Sequence, residues 1–258
     1  MHHVTKRPPR TAVILAAGAG SRLLPHTAHA PKCLTNIGGF PILQYQIAAL
    51  RECGIEDVVI VVGYLPHCIR GFARDAATYV DNADYAATNS SHSLWLAREH
   101  LRDGYIHLNS DLLFEPRMLR TLLGSPHENA VIVQRSVDPS SDMMKARMDG
   151  ARIREMGKHL TSGAVAEVVG PAKFGPEGAA RLIAALDRLQ AEGERSRWAY
   201  ALFGDLADDI AFTGVDNPGC FWAEVDTIDD ARDAERRIPS QLVACAANWS
   251  PRETRIAI

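Results

Sequence analysis

Leu15-Ala16-Ala17-Gly18-Ala19-Gly20-Ser21-Arg22-Leu23 closes an apolar run, 12–17, whose length and composition are those of a buried strand. Small residues directly after a strand let backbone N–H groups come close to an anion, which is how phosphate-cradling loops work. The spacing excludes two common versions of such a loop. A dinucleotide fingerprint needs a third glycine three residues after Gly20, where Leu23 stands. A Walker A loop needs G-x-x-x-x-G-K-[ST], which occurs nowhere in the chain. Taken alone, the segment is equally a glycine-rich strand-to-helix turn that binds nothing.

Working outward, short β-branched or aromatic runs recur at Asp57–Val62, 78–80, Tyr105–Asn109 and Ala130–Gln134. Amphipathic stretches lie between them. One opens at Pro41 and places Leu43, Ile47 and Leu50 on one face. Another starts near His92, behind the capping candidates Ser90 and Ser91, with Leu94, Ala97 and Leu101 at helical spacing. Strand–helix–strand alternation predicts parallel strands covered by helices on both faces. After residue 135 the pattern changes. Runs 144–148 and 151–156 flank Asp149-Gly150, a two-residue type I′ hairpin signal. A polar, glycine-rich stretch to Gly170 follows. The spacing then predicts a helix over 176–189, with Ala179, Leu182, Ile183, Leu186 and Leu189 on one stripe and Gly193 near its stop. A strand over 221–225 and a capping box, Thr227-x-x-Asp230, open the last helix. The order fits an antiparallel insertion packed over the parallel sheet, and residues from Ser240 onward show no period.

The 258 residues carry 28 Lys plus Arg against 31 Asp plus Glu, a formal charge of -3, and 47% are apolar. That is enough apolar material for one large domain with an elaboration. The balance excludes a strongly basic nucleic-acid binder and an acidic disordered tail. Five cysteines, at 33, 53, 68, 220 and 245, are odd in number and include no C-x-x-C, which suits a reducing cytosol. No apolar run approaches the roughly 18 residues a membrane span needs. Lys6, Arg7 and Arg10 precede the run 12–17 in the manner of a signal peptide. That run falls short of the about 7–15 residues of a signal core. A cytoplasmic protein with neither membrane nor nucleic acid as partner is expected. His26-x-x-His29-x-x-x-Cys33 has zinc-like spacing but lacks a fourth ligand. Trp95 and Trp222 read as packing residues.

Leu15-Ala16-Ala17-Gly18-x-Gly20-x-Arg22-Leu23-x-Pro25-x-Thr27-x-x-x-Pro31-Lys32-x-Leu34 resembles the signature of the nucleotidyltransferases that activate sugar phosphates and phosphorylated alcohols. Asn109-Ser110-Asp111 resembles the segment with that family's first metal-binding aspartate, and Ala223-Glu224-Val225-Asp226-Thr227 the segment with its second. Asn89, Ser93 and Leu94 resemble a nucleoside-contacting N-x-x-x-S-L segment. The likeness spans about residues 11–238. A narrower likeness is to cytidylyltransferases acting on phosphocholine and on phosphonates. It rests on Ser93-Leu94-Trp95-Leu96-Ala97-Arg98-Glu99, Met144-Lys145, Gly157-Lys158 and Lys173-Phe174. Ala146, where a β-branched residue is common, and Pro171 depart from it on the acceptor side.

The resemblance implies an α/β, Rossmann-like, doubly wound and mostly parallel sheet of the nucleotide-diphospho-sugar transferase type, with a small antiparallel insertion. Its implied layout is an N-terminal arm, 1–10, one domain, 11–239, and a tail, 240–258. The domain divides into a nucleotide core, 11–135, an acceptor elaboration, 136–220, and a segment with the second metal ligand and last helix, 221–239. The implied reaction transfers CMP from CTP to a small phosphonate or phosphorylated alcohol and releases pyrophosphate. A phosphate or phosphonate nucleophile is largely ionised near neutrality, the second pKa of a phosphate being about 6, so no general base is needed. The site then requires positioning and charge neutralisation, in keeping with the absence of a G-x-S-x-G elbow.

In that reaction Arg22 holds the β- and γ-phosphates, and Lys32 bridges the α-phosphate and the acceptor. Leu15, Ala16, Ala17, Gly18, Ala19 and Gly20 supply donors and space, with Asn89, Ser93 and Ser110 as further nucleotide contacts. Asp111 and Asp226 are the Mg²⁺ ligands. Lys145 and Arg147, two residues apart on a strand and so on one face, form a basic stripe for the acceptor, with Glu167 and Lys173 beside them. The plain alternatives are solvated loop carboxylates, surface cations and a solvated strand face. A sugar-1-phosphate acceptor, a catalytically silent nucleotide-binding subunit and a homodimer also stay open. A glycosyltransferase is disfavoured because the chain has no D-x-D.

Overall fold

The structure is a computed structural model that describes residues 8–136, 142–160 and 162–250. Residues 1–7 of the expected N-terminal arm, and 251–258 of the tail, lie outside the described residues. The first half contributes β1 (Thr11–Ala16), β2 (Asn36–Ile37), β3 (Phe40–Pro41), α1 (Ile42–Glu52), β4 (Asp57–Val62) and α2 (Pro66–Ala73). It continues with β5 (Thr78–Asp81), α3 (Ser90–Leu96), β6 (Tyr105–Asn109), β7 (Leu112–Phe114), α4 (Pro116–Gly124) and β8 (Ala130–Gln134). The second half adds β9 (Lys145–Asp149), β10 (Arg152–Gly157), β11 (Ala166–Phe174), α5 (Pro176–Ala191) and α6 (Ala199–Asp205). Then come β12 (Thr213–Asp216), β13 (Trp222–Glu224), α7 (Ile228–Arg237) and α8 (Ser240–Ala247).

Nine strands form one sheet in the order β5-β4-β1-β6-β11-β8-β12-β10-β9. β5, β4, β1 and β6 are mutually parallel, as are β8 and β12. The run 12–17 is apolar throughout because β1 is central and covered on both faces. Val13 and Leu15 point into one core with Val59, Val61, Leu94, Leu182 and Phe203, while Ala12, Ile14 and Ala16 point into another with Leu43, Ile47, Ile60 and Leu119. The expected doubly wound core is therefore present.

The insertion differs from expectation. β9, β10 and β11 do not pack over the parallel sheet; they are hydrogen-bonded into it. The stretch before Gly170 is not all polar loop, since β11 starts at Ala166 and is buried along its length. One edge of β11 switches partner: Ala166 and Glu167 face β9, whereas Ala172, Lys173 and Phe174 face β6. The register with β8 breaks between Val168 and Ala172, which is where a strand tolerates Pro171. Gly170, at φ +66°, is required there, because a Cβ would stand 2.6 Å from the Tyr200 hydroxyl. The hairpin also shifts by one residue. Asp149 pairs with Arg152, so the loop is Gly150-Ala151. Only Gly150 of the two has positive φ, the sign pattern of a II′ turn and not of I′.

Ser240 onward, unassigned from sequence, contains α8, which docks on α1. The Gln44 Nε2 group donates to the carbonyls of Ala246 at 2.9 Å and Trp249 at 3.1 Å. Among the described residues all five cysteines are free thiols, and no helix is long and apolar enough to cross a membrane.

Candidate active site

A cavity of about 350 Å³ opens where β1 and β6 end. This is the carboxyl edge of the parallel strands, where open α/β sheets place their ligands. The loop after β1 forms one wall. Its residues Ser21–Leu23 make a single 3-10 turn behind Gly20, whose φ is +62°. A Cβ on Gly20 would lie 2.8 Å from the Lys32 Cβ, so glycine there lets Lys32 pass against the loop. The Thr27 hydroxyl ties the loop down by donating to the Gly20 carbonyl at 3.0 Å.

Two segments far apart in the chain form the floor. β7 and β13 pair antiparallel, with Glu224 opposite Leu112. The Val225 N–H donates to the Asp111 carbonyl at 3.0 Å, which brings Asp111 next to Glu224 and Asp226. The capping box of α7 holds Asp226 in place. The Asp230 carboxylate accepts from the Thr227 N–H at 2.7 Å and from the Asp226 N–H at 3.1 Å. One oxygen each from Asp111, Glu224 and Asp226 lies within 4.8 Å of the others, the group among the described residues placed to hold a metal ion.

Two cations hold these carboxylates together. The Lys32 ammonium donates to Asp111 Oδ2 at 2.7 Å and also to Asp226 Oδ1. The Arg22 guanidinium donates to Asp226 Oδ2 at 2.7 Å. Burial pulls the Lys32 pKa down, but Asp111 and Asp226 outweigh it and leave it raised. Glu224 is pushed up to about 8, first by burial and then by the charges of Asp111 and Asp226. Glu224 stood in the quoted E-x-D-T segment without a role. Only its approach to Asp111, set by the β7–β13 pairing, reveals one.

The structure brings Arg22, Lys32, Asp111 and Asp226 together. Of the expected nucleotide contacts, Leu15, Ala17, Gly18, Gly20, Asn89, Ser93 and Ser110 line the cavity. Ala16 points into the core on the other side of the sheet, and Ala19 is not a lining residue. Asn89 caps α3, its Oδ1 accepting from the Ser90 N–H at 2.7 Å, and the Asn82 amide donates to the Ser93 hydroxyl at 3.0 Å. Asn82, Tyr85 and Thr88 line the same wall and carried no sequence signal.

Lys145, Arg147, Glu167 and Lys173, expected on the acceptor side, are not among the residues that line this cavity. Lys145 is buried opposite Glu167 in the β9–β11 ladder, and neither lines the cavity. Arg147 turns to Glu155 at 2.6 Å and to the Ser162 carbonyl at 3.0 Å. Lys173 lies at the far end of β11, where its ammonium donates to the carbonyls of Ser125 at 2.8 Å and Leu123 at 3.4 Å. Asp142, Met143, Met144, Lys158, Trp198 and Tyr200 form that side instead. The quoted Gly157-Lys158 pair already contained one of them. Cys33 of the zinc-like spacing is buried, with its thiol pushed up to about 12 by burial. Trp95 donates to Asp187 at 2.9 Å, and Trp222 packs against the core under α1 and α4.

Burial lowers Lys173 to about 8 from the usual lysine value of 10.5. Between those pH values the unfolded chain holds a proton that the folded chain lacks, so this group makes stability rise with pH across that window. Below the window its penalty is fully present. Urea unfolding at both ends of the window is expected to show Lys173→Met losing that component of the slope, with the acceptor KM unchanged. A several-fold rise in that KM would return Lys173 to the acceptor site.

Residues 12–204 match the sequence profile of the MobA-like NTP transferase domain. The chain belongs to that family. Among relatives of this NTP transferase domain is a CMP-5′-(3-aminopropyl)phosphonate synthase of Streptomyces rubellomurinus, 38% identical over 148 residues. The match covers 55% of this chain and 24% of the relative. A choline-phosphate cytidylyltransferase of Streptococcus pneumoniae is 39% identical over 105 residues, covering 40% of this chain and 46% of the relative. The match thus spans under half the length of either curated relative. The solved structure of a CTP:phosphocholine cytidylyltransferase from Streptococcus pneumoniae superposes with a TM-score of 0.75 at 23% identity, over 88% of this chain and 99% of that one. It has the same fold as this NTP transferase domain.

Proposed function

We propose that this NTP transferase transfers CMP from CTP to a small phosphonate or phosphorylated alcohol and releases pyrophosphate. The observation that carries the reading is the convergence of Lys32 and Arg22 on Asp111 and Asp226 beside the loop 15–23. The relatives named above support CTP as donor and a small phosphonate or phosphate ester as acceptor. An acceptor oxygen forms a bond to the α-phosphorus, the bond from that phosphorus to the α–β bridging oxygen breaks, and its electron pair leaves with pyrophosphate. Backbone N–H groups of the loop and the Arg22 fork hold the β- and γ-phosphates, so Arg22 takes up charge as pyrophosphate leaves. Lys32, a compact point charge, lies between the α-phosphate and the incoming oxygen and offsets the repulsion of two anions. Lys158 is placed to hold the acceptor's phosphonate or phosphate.

The acidic floor fits Mg²⁺. Three carboxylates are the hard oxygen donors such an ion prefers. Asp111 Oδ1 is buried with no hydrogen-bond partner, an orphaned acceptor of the sort a cation would satisfy. Asp111 and Asp226, joined by Glu224, would hold the ion. When bound, Mg²⁺ would supply positive charge beside the phosphates and so offset the charge that develops on them.

A phosphonate ranks first as acceptor, phosphocholine or a related phosphorylated alcohol second and a sugar 1-phosphate third. A silent nucleotide-binding subunit has no need of Arg22, Lys32, Asp111 and Asp226 converging in one cavity. Five free thiols suit a reducing, cytoplasmic setting. The test is pyrophosphate release across four NTPs and a panel of phosphonates, phosphocholine and sugar 1-phosphates. Release with CTP and a phosphonate is expected. Release with sugar phosphates alone contradicts the acceptor class, and no release with any pair contradicts transfer itself.

A further inference from the structure

We infer that Gln46 is a positioning residue for the acidic floor: its buried amide grips both ends of the turn that carries Asp111, and so sets that carboxylate where it would hold a metal ion. The inference rests on the metal role proposed for Asp111 above.

Gln46 stands where the pattern of α1 calls for an apolar side chain. It lies three residues after Leu43 and four before Leu50, on the stripe that α1 turns inward, and it is fully buried. A primary amide in such a place is unfavourable unless its polar atoms find partners. The Gln46 Nε2 group donates to the Asn109 carbonyl at 2.7 Å and to the Leu112 carbonyl at 2.9 Å, so both of its protons are used. Both partners are acceptors only, which fixes the way the amide faces. The Gln46 Oε1 atom is buried with no hydrogen-bond partner. Gln46 thus carries an unsatisfied oxygen while it brings two donors to one turn, a poor arrangement for stability alone.

The turn is short. β6 ends at Asn109 and β7 starts at Leu112, leaving Ser110 and Asp111 between them. The Ser110 N–H donates to the Leu15 carbonyl at 3.2 Å, and the Asp111 carbonyl accepts from the Val225 N–H at 3.0 Å. Gln46 joins the residue before this pair to the residue after it, which fixes the direction in which the Asp111 side chain leaves the turn. The same helix is tied to the segment of Lys32. The Ile42 N–H donates to the Thr35 carbonyl at 3.1 Å, three residues after Lys32. α1 therefore holds Asp111 and the ammonium that bonds it in one frame.

Gln44 supplies an internal comparison. It is also buried, and it also directs its amide to two backbone carbonyls, those of Ala246 and Trp249. Being two residues from Gln46, it faces nearly the opposite side of α1, toward α8 and away from the site.

The test is Mn²⁺ binding to the protein without substrates, followed by loss of the free-ion EPR signal, with melting temperatures of the same samples. Partners that orient a metal ligand are worth about 10–100-fold in affinity, so Gln46→Met is expected to raise the Mn²⁺ dissociation constant by at least about tenfold. Gln44→Met should lower the melting temperature comparably yet stay within about twofold of the wild-type constant, because it shares no partner with the site. Gln46→Asn, one methylene shorter, keeps an amide in the same place but cannot span both carbonyls. It should weaken Mn²⁺ binding as Gln46→Met does, and it carries the test if the methionine variant does not fold. Asp111→Asn is measured beside them, and wild-type affinity there would overturn the metal role of Asp111 and the inference with it. A folded Gln46 variant with the wild-type constant, beside an Asp111→Asn protein that has lost the ion, overturns the inference alone. An equal loss of affinity in Gln44→Met does the same.

Discussion

Asp111→Asn and Asp226→Asn are each expected to lower cytidylyl transfer by at least about 10³-fold, because each removes a carboxylate that would hold a cation, whose charge would be worth several kcal/mol in the transition state. Asparagine keeps the shape of the side chain and removes the charge that would hold the ion. The fold should survive both changes, since each leaves Lys32 one carboxylate partner, Asp226 or Asp111. The hydrogen bond that positions Asp226, from its N–H to Asp230, involves backbone and is untouched. Pyrophosphate release with thermal melting of the same samples checks this. A folded variant that releases pyrophosphate near the wild-type rate removes that carboxylate from the site.

Lys32→Met is the second large effect. Its ammonium sits between two carboxylates and close to the loop, 12% exposed at the side chain. Preorganised charge of this kind is worth about 10²–10³-fold in turnover when deleted. A separate consequence follows from geometry: the ammonium bonds two of the carboxylates that would hold a divalent cation. The variant should therefore bind Mg²⁺ at least as tightly as the wild-type protein while turning over far more slowly. Calorimetric metal titration beside steady-state rates separates the two. Turnover within about threefold of wild type sinks the role, given the size expected of such a charge.

Much of this site was readable along the chain because its parts are local. The loop 15–23, Arg22 and Lys32 lie in one segment. β1, β4, β6 and β8 are short apolar runs whose burial on two faces writes itself as continuous hydrophobicity. Where pairing or packing is non-local, the sequence was silent or misleading. β11 is broken in appearance by Gly170-Pro171, and its burial comes from β6, β8 and β9, strands distant in the chain. α8 has little periodicity of its own and is stabilised by α1. The two-residue alternation that put Lys145 and Arg147 on one face was sound geometry. β11 closes over the Lys145 end, however, and Glu155 takes Arg147 away. Asp142, Lys158 and Trp198, which line the cavity on that side, lie on three separate segments, which no spacing rule could join.

In the proposed reaction a phosphonate oxygen attacks the α-phosphorus of CTP. Phosphorus NMR of a mixture of the protein, Mg²⁺, CTP and 3-aminopropylphosphonate tests it most directly. A new pair of coupled resonances is expected, one phosphonate and one phosphate joined through oxygen, growing in step with pyrophosphate at equal amounts. CTP that stays intact, or that is hydrolysed without any phosphonate–phosphate coupling, would contradict it.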